Sequence, residues 1–148
     1  IPNACIGADV IVGFPGETNS DFLETYNFLK SLNISYLHVF SFSGRMDTKA
    51  YNMLNKVGLP EKYSRSKMLR ILSTKKTRKF YTENKDFIHS VLFESENKNG
   101  FIYGYTSNYI RVKTYWDPTL SNKIIDVYIE SIGVDGIANV KVKNEIYA

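Results

Sequence analysis

The residues with the clearest chemical signature lie in the stretch GADVIVGFPGET, residues 7–18, where an apolar run ends in a glycine-flanked turn. A turn between a strand and a helix often lies beside a ligand in α/β proteins, and Gly13 and Gly16 would let a ligand approach the backbone closely. The Lys-Ser/Thr pair of a phosphate-binding loop is missing, and the Glu17 carboxylate would repel a phosphate. Two roles stay open for Glu17: it favours the dipole of the helix that follows, or it accepts hydrogen bonds from a hydroxyl or amino group of a ligand.

A second candidate site is basic, because the positive charge of the chain is concentrated in one segment. Residues 61–86 carry nine Lys and Arg against three Asp and Glu, whereas residues 1–60 and 87–148 each have a balance of −1. Within this segment the cations cluster at Lys75, Lys76, Arg78 and Lys79. Such a run indicates either a solvated helix face or a surface for RNA phosphates.

A third candidate site lies in the stretch NYIRVKTYW. In a strand, one face would hold Tyr109, Arg111, Lys113 and Tyr115, and the other Ile110, Val112 and Thr114. Rings alternating with cations are typical of surfaces that bind single-stranded nucleic acid, because they offer both stacking and phosphate contacts. The solvent face of an edge strand guarded by charge explains the pattern equally well.

Metal-ligating residues are few. The sequence has one cysteine, Cys5, and two histidines, His38 and His89, which are far apart and within predicted strands. One thiol completes neither a disulfide nor a cysteine-based zinc or iron–sulfur site. We therefore predict no metal site in this chain. A lone reduced cysteine is typical of a cytoplasmic protein, and no apolar run approaches the roughly 20 residues that span a bilayer.

The elements that would position these residues change in character near residue 85. Before it, we predict a strand over 5–14, a helix over 18–33 capped by Ser20, a strand over 35–43, a short helix over 50–57 and a long helix over 61–84. The continuous apolar run of the first strand is typical of a strand buried on both faces of a parallel sheet. Strand, helix and strand form one βαβ unit with a right-handed crossover.

From residue 86 onward, apolar and polar residues alternate, with turn signals about every ten residues. This pattern predicts four or five antiparallel strands that form a small barrel, similar in scale to an OB-fold. The predicted fold class is therefore α/β followed by all-β, with domains over residues 1–85 and 86–148.

The stretch ADVIVGFPGETNSDFLETYNFL resembles the later part of the radical S-adenosylmethionine domain of the tRNA and ribosomal-protein methylthiotransferases. The stretch SYLHVFSFSGRMDTKAYNM continues the resemblance, and SVLFE and GYTSNYIRV are similar to the TRAM domain that ends those proteins. Within the family, YLHVFSFS is most similar to the branch that acts on N6-threonylcarbamoyladenosine in tRNA. The chain begins with Ile1, which indicates a processed protein or a carboxyl-terminal fragment.

The resemblance implies that residues 1–85 are the last βα units of a partial (β/α) barrel, with adenosylmethionine at the carboxyl ends of the strands. It implies cofactor contacts for Asp9, Gly13, Glu17, Val39 and Phe40. The general superfamily pattern has glycine at position 9 and glutamate at position 16, so the motif is only partly met here.

The full-length enzymes hold two 4Fe-4S clusters, one of them on a Cys-x-x-x-Cys-x-x-Cys loop, and this sequence has neither set of cysteines. The resemblance therefore implies that the chain on its own carries no catalytic residue, binds no cluster or cofactor, and is inactive.

The implied partner is the anticodon stem-loop of tRNA, held by the cations at 75–79 and the face of residues 109–115. Two alternatives stay open, a non-catalytic RNA-binding module and a methylthiotransferase that acts on a ribosomal protein. A sheet cut from a barrel also exposes an edge and an apolar face, which predicts dimerisation of the isolated chain.

Overall fold

A computed structural model describes residues 2–143 of the chain. They form two compact units, one over residues 6–77 and one that combines residues 2–5 with residues 78–143. The predicted domain boundary near residue 85 stays a prediction. The last predicted strand continues to residue 148, and its final part, 144–148, lies outside the described residues.

The unit over residues 6–77 contains a βαβ motif. Its elements are β1 (Gly7–Val12), α1 (Asn19–Ser31), β2 (Tyr36–Ser41), a 3₁₀ helix (Lys49–Asn52) and most of α2 (Leu59–Glu83). The two strands are parallel, with Gly7 opposite Tyr36 and Val12 opposite Ser41, so the predicted βαβ unit is confirmed. The short helix predicted over 50–57 is wrong, because Asn55 has a φ of 58°, which an α-helix does not accommodate.

Helix α1 begins three residues after Gly16, and its N-cap is Thr18. The Thr18 hydroxyl accepts a hydrogen bond from the Asp21 backbone N–H, and the Asp21 carboxylate accepts one from the Thr18 N–H, which forms a capping box. The prediction of Ser20 as the cap is wrong, since Ser20 is already inside the helix. The Thr18 hydroxyl also donates a hydrogen bond to the Asp21 carboxylate, and this bond lowers the pKa of Asp21.

Strand β1 is buried on one face only, so the prediction of burial on both faces is wrong. Val10 and Val12 pack into a core with side chains of both helices, among them Phe22 and Leu69. Ile11, on the other face, is 58% exposed. Both helices contribute to the core on the same side of the two strands, and an apolar run in a sequence does not reveal whether its second face is covered.

The outer edge of β2 is covered by side chains of α2. The Ser73 hydroxyl accepts a hydrogen bond from the Leu37 N–H at 2.8 Å and donates one to the Leu37 carbonyl at 3.1 Å. Carbonyls further along the edge accept hydrogen bonds from Lys62, Arg70 and Thr77. Backbone groups that would otherwise recruit another strand are thereby satisfied within the chain.

The second unit is a closed five-stranded barrel. Its strands are β3 (Ile88–Phe93), β4 (Phe101–Thr106), β5 (Arg111–Tyr115), β6 (Ile124–Ile132) and β7 (Ala138–Val142), in the order β3-β4-β5-β7-β6. The predicted antiparallel arrangement is corrected at one position, because β5 and β7 pair in parallel and this pairing closes the barrel. Inward side chains such as Val91, Ile102 and Val127 are fully buried, and Phe80 and Tyr81 from the end of α2 pack against them.

Among residues 2–143, no helix has both the length and the apolar character needed to cross a membrane.

Candidate cofactor and nucleic-acid surfaces

The uncovered face of the β1–β2 sheet carries two of the predicted cofactor residues. Asp9 lies opposite His38, and Ile11 lies opposite Phe40, which is 50% exposed. The rings of Tyr36, His38 and Phe40 follow one another along β2, with centroids 5.2 and 6.3 Å apart. This open face, defined by Asp9, Ile11, His38 and Phe40, therefore offers an apolar and aromatic surface with one carboxylate, which suits a flat, partly polar ligand.

Val39 is also a predicted cofactor residue, but the structure does not bring it to the open face. It is half-buried and packs against the core on the helix-covered side of the sheet. Its predicted contact with the cofactor stays a prediction, and the alternation of side chains along β2 separates it from Phe40.

The turn after β1 is held by the predicted cofactor residue Glu17. Gly13 and Gly16 have φ values of 75° and 91°, which glycine adopts without strain. Glu17 Oε2 accepts a hydrogen bond of 2.6 Å from the Gly13 N–H, and the Gly16 N–H donates to the Asn55 carbonyl at 3.0 Å. Glu17 therefore fixes the shape of the turn, and whether it also contacts a cofactor stays a prediction.

Arg65 on α2 is a site residue that sequence reasoning missed. Its guanidinium donates to Glu17 Oε2 at 2.6 Å and to the Glu17 carbonyl at 3.0 Å, and it lies over the Phe22 ring. Arg65 is only 4% exposed. Arg65 lies four and seven residues before Leu69 and Leu72, so it shares their buried helix face. A cation at such a position was the sequence signal for a buried ion pair.

A small cavity of about 130 Å³ opens beside the turn. It is lined by Gly13, Pro15, Phe42, Gly44, Ala50, Tyr51, Lys56 and Lys62. Lys62 Nζ donates to the Phe42 carbonyl at 3.0 Å, and Lys56 Nζ lies 5.0 Å from the centroid of the Tyr51 ring. Both ammonium groups are thus engaged by the cavity walls, and the space suits a small polar group.

The four clustered cations at positions 75–79 fall into two groups. Lys76 Nζ donates to the carbonyls of Lys30 and Leu32 at the end of α1, where a cation also favours the helix dipole. Arg78 donates to the carbonyls of Ile132 and Gly133. Both side chains therefore support the fold.

Lys75 and Lys79 are exposed, four residues apart on one face of α2. Lys79 lies 3.6 Å from Glu83 in a solvent-exposed ion pair. Both side chains are therefore accessible to a phosphate.

The predicted alternation is confirmed at Ile110 and Val112, which are fully buried in the barrel core. The strand is shorter than predicted, because β5 begins at Arg111 and Tyr109 precedes it with a φ of 64°. The outward residues join with rings of β4 into one surface. We call it the ring–cation face: Phe101, Tyr103, Tyr105, Tyr109, Arg111, Lys113 and Tyr115.

Both interpretations of this stretch place Arg111 and Lys113 on an open surface, and this needs correction, because both side chains are half-buried and ion-paired. Arg111 donates to Glu94, and Lys113 donates to Asp135. The hydrogen bond from Arg111 lowers the pKa of Glu94, and the one from Lys113 lowers the pKa of Asp135. The apolar parts of the Arg111 and Lys113 side chains pack along the sheet beside the aromatic rings, and their charged ends reach the carboxylates.

The residues of this chain do not fit an iron–sulfur cluster. A 4Fe-4S cluster takes several thiolates, and Cys5, the single cysteine of the sequence, packs against the barrel core. Among the described residues, no group of three His, Cys, Asp or Glu side chains is arranged to hold a metal ion. Adenosylmethionine is a better match, since the open face combines exposed apolar side chains with the Asp9 carboxylate.

Three known proteins that are similar to this chain are methylthiotransferases. The threonylcarbamoyladenosine tRNA methylthiotransferase MtaB of Aquifex aeolicus is 43% identical over 112 residues, which are 76% of this chain and 26% of that protein. The protein of the same description from Bacillus subtilis is 36% identical over 90% of this chain and 30% of its own length. The ribosomal protein uS12 methylthiotransferase RimO of Alkaliphilus oremlandii is 33% identical over 79% of this chain and 25% of its own length.

No family model matches the chain. The chain spans about a quarter to a third of the length of these curated relatives.

Proposed function

This chain belongs to the methylthiotransferase family, and we propose that it is the carboxyl-terminal part of an enzyme that methylthiolates an N6-modified adenosine beside the tRNA anticodon by radical S-adenosylmethionine chemistry. The observation that carries the proposal is the similarity, over most of the chain, to two threonylcarbamoyladenosine tRNA methylthiotransferases. The enzyme works in the cytoplasm, where its tRNA substrate is found.

In this proposal the β1–β2 sheet is the last βα unit of a partial (β/α) barrel. The α2 side chains satisfy the outer edge of β2, and β1 has no strand neighbour other than β2 among residues 2–143. The sheet therefore gains further parallel strands only on the β1 side. Helices cover one face, as on the outside of such a barrel, and the open face becomes the inner wall.

The open face would form one wall of the adenosylmethionine pocket. Ile11 and Phe40 supply apolar contact for the adenine ring, and Asp9 accepts hydrogen bonds from the hydroxyl or ammonium groups of the cofactor. Glu17 and Arg65 hold the turn at the carboxyl end of β1. The radical chemistry is supplied by adenosylmethionine and by clusters held on other parts of the full-length protein, so this chain alone is inactive.

The RNA partner would be held by α2 and by the barrel. Lys75 and Lys79 offer exposed cations to phosphates of the anticodon stem-loop, and the ring–cation face offers a second contact surface.

Nucleoside analysis of a strain with this gene disrupted tests the proposal. Bulk tRNA is digested and examined by mass spectrometry, and we expect loss of the methylthio group from a modified adenosine whose N6 substituent is retained. A Phe40→Ala variant of the full-length enzyme should restore less modification than Phe28→Ala, since Phe28 is exposed on α1.

The relative that acts on ribosomal protein uS12 supports a second candidate substrate, and the same strain decides between the two. Unchanged tRNA together with an unmodified uS12 would contradict the tRNA proposal and favour the protein substrate. No change in either molecule would contradict the enzyme proposal and favour a non-catalytic RNA-binding module.

A further inference from the structure

The ring–cation face is an ordered stack rather than a scatter of exposed side chains. The antiparallel register places Tyr115 opposite Phe101, Lys113 opposite Tyr103, and Arg111 opposite Tyr105. The Phe101 and Tyr115 rings are stacked with centroids 5.3 Å apart and planes at 20°. At the other end, the centroids of Tyr105 and Tyr109 are 6.2 Å apart.

Cations fill the space between these two ring pairs. The Arg111 guanidinium carbon lies 4.6 Å from the Tyr105 centroid and 5.1 Å from that of Tyr103. Lys113 Nζ lies 5.2 Å from the centroid of Phe101. Rings and cations thus alternate across β4 and β5, which is the geometry in which cation–π attraction operates.

The two cations are already neutralised within the barrel. Arg111 is paired with Glu94 and Lys113 with Asp135, so these four side chains carry no net charge. A phosphate that displaced either carboxylate would have to break an ion pair and its hydrogen bond. We therefore expect this face to bind phosphates weakly.

The rings, in contrast, are open at both ends of the stack. Tyr109 is 74% exposed and Tyr115 is 79% exposed. Phe101 and Tyr105 are four residues apart on β4, which separates the two ring pairs by about 13 Å along the strand. Two exposed ring pairs at this separation, with two internal ion pairs between them, suit ligands whose contacting faces are flat and uncharged.

We propose that the ring–cation face recognises unpaired nucleobases by stacking, rather than duplex RNA through its phosphates. The proposal rests on the RNA-binding role proposed above and names the part of the RNA that this face takes, a single-stranded loop or end. Glu94 and Asp135 act as positioning residues, because they hold Arg111 and Lys113 against the rings.

Fluorescence anisotropy with labelled RNA tests the stacking. The 148-residue chain is titrated into a short oligoadenylate and into the duplex that this strand forms with oligouridylate, and we expect tighter binding to the single strand. Tyr109→Ala and Tyr115→Ala should each weaken single-strand binding by about 5- to 150-fold, the range for removing one base–ring stack.

Two sets of variants control for folding and for the hydroxyl groups. Tyr109→Phe and Tyr115→Phe keep the rings and should bind as the unsubstituted chain does. Tyr128→Ala removes an exposed tyrosine from β6 of the same barrel and should not change binding. Equal losses in the Phe and Ala variants would overturn stacking.

The salt dependence separates bases from phosphates. In a Lys75→Ala/Lys79→Ala double variant, which removes the proposed phosphate contacts of α2, the log–log slope for the single strand should be smaller than about 0.7, the value for one phosphate. Glu94→Gln and Asp135→Asn each release a cation, and each should steepen the slope by about 0.7.

The outcomes distinguish this inference from the proposed function. Preference for the duplex, with a steep slope and with losses in Lys75→Ala and Lys79→Ala but none in the Tyr→Ala variants, would overturn base stacking and support RNA binding through α2. Absence of binding to either RNA would overturn base stacking, whereas the proposed function would still be decided by the nucleoside analysis of the disrupted strain.

Discussion

Ser73 satisfies both backbone groups of Leu37, accepting from its N–H at 2.8 Å and donating to its carbonyl at 3.1 Å. A single hydroxyl on α2 thus takes the place that a neighbouring strand would have on β2. Without it, the edge of β2 would present an unpaired donor and acceptor in a partly buried position.

We expect Ser73→Ala to lower the free energy of unfolding by about 1–3 kcal/mol, the cost of leaving buried backbone groups unsatisfied. Urea unfolding followed by circular dichroism measures this loss. Thr74→Ala is the matched control, because the Thr74 hydroxyl donates to the Arg70 carbonyl within the same helix and its removal should cost less than about 0.5 kcal/mol. Similar losses in the two variants would contradict an edge-sealing role for Ser73.

The buried ion pair of Glu17 and Arg65 gives a larger effect. Glu17→Gln leaves the guanidinium without its buried counter-charge, and we expect a loss of about 3–5 kcal/mol. Glu61 provides the control, since its carboxylate lies 3.4 Å from the same guanidinium but is largely exposed. Glu61→Gln should cost less than about 1 kcal/mol. Equal urea midpoints for the two variants would show that burial does not set the strength of this pair.

The Arg111–Glu94 pair predicts a pH dependence of stability. Because the folded state lowers the pKa of Glu94, the pair contributes fully above the usual glutamate value of about 4.3 and is lost as pH falls through the lowered pKa. Glu94→Gln should therefore be less stable than the unsubstituted chain at neutral pH, by less than about 1 kcal/mol because the pair is partly exposed. Urea titrations over the acid range should find this difference shrinking towards zero. A difference that grew on acidification would contradict the assigned ion pair.

The periodicities of the sequence predicted most of the architecture. The βαβ unit followed from an apolar strand, a helical stripe and a second strand, and the barrel followed from alternation between turn signals. What the sequence left undetermined was the environment of each side chain. Ile11 and Val12 are equally apolar, but whether each is covered depends on helices packed against the sheet. The cap at Thr18 and the turn at Asn55 likewise depend on local hydrogen bonds and a positive φ rather than on periodicity.

The sequence predicted which charged residues belong to the candidate surfaces, but not which residues they pair with. Glu17, Arg111 and Lys113 were identified by their charge, and each is engaged by a partner distant in sequence. Arg65, 48 residues from Glu17, is the clearest case, because no local pattern links the two. For these residues the charge alone predicted neither exposure nor availability to a ligand, because both depend on partners distant in sequence.

The two groups of cations on α2 predict a separation of stability from RNA binding. Lys76→Ala removes the hydrogen bonds to the carbonyls at the end of α1, so we expect it to lower the free energy of unfolding by about 1 kcal/mol while RNA affinity of the folded chain changes little.

Lys75→Ala and Lys79→Ala should leave the free energy of unfolding within about 0.5 kcal/mol of the unsubstituted value. Each should weaken tRNA binding and make its salt dependence shallower, because each removes a cation that neutralises a phosphate. Urea unfolding and filter binding on the same preparations measure both quantities. If the folded Lys76→Ala chain bound tRNA more weakly than the Lys75→Ala chain, this prediction would be contradicted. Lys76 rather than Lys75 would then face the RNA.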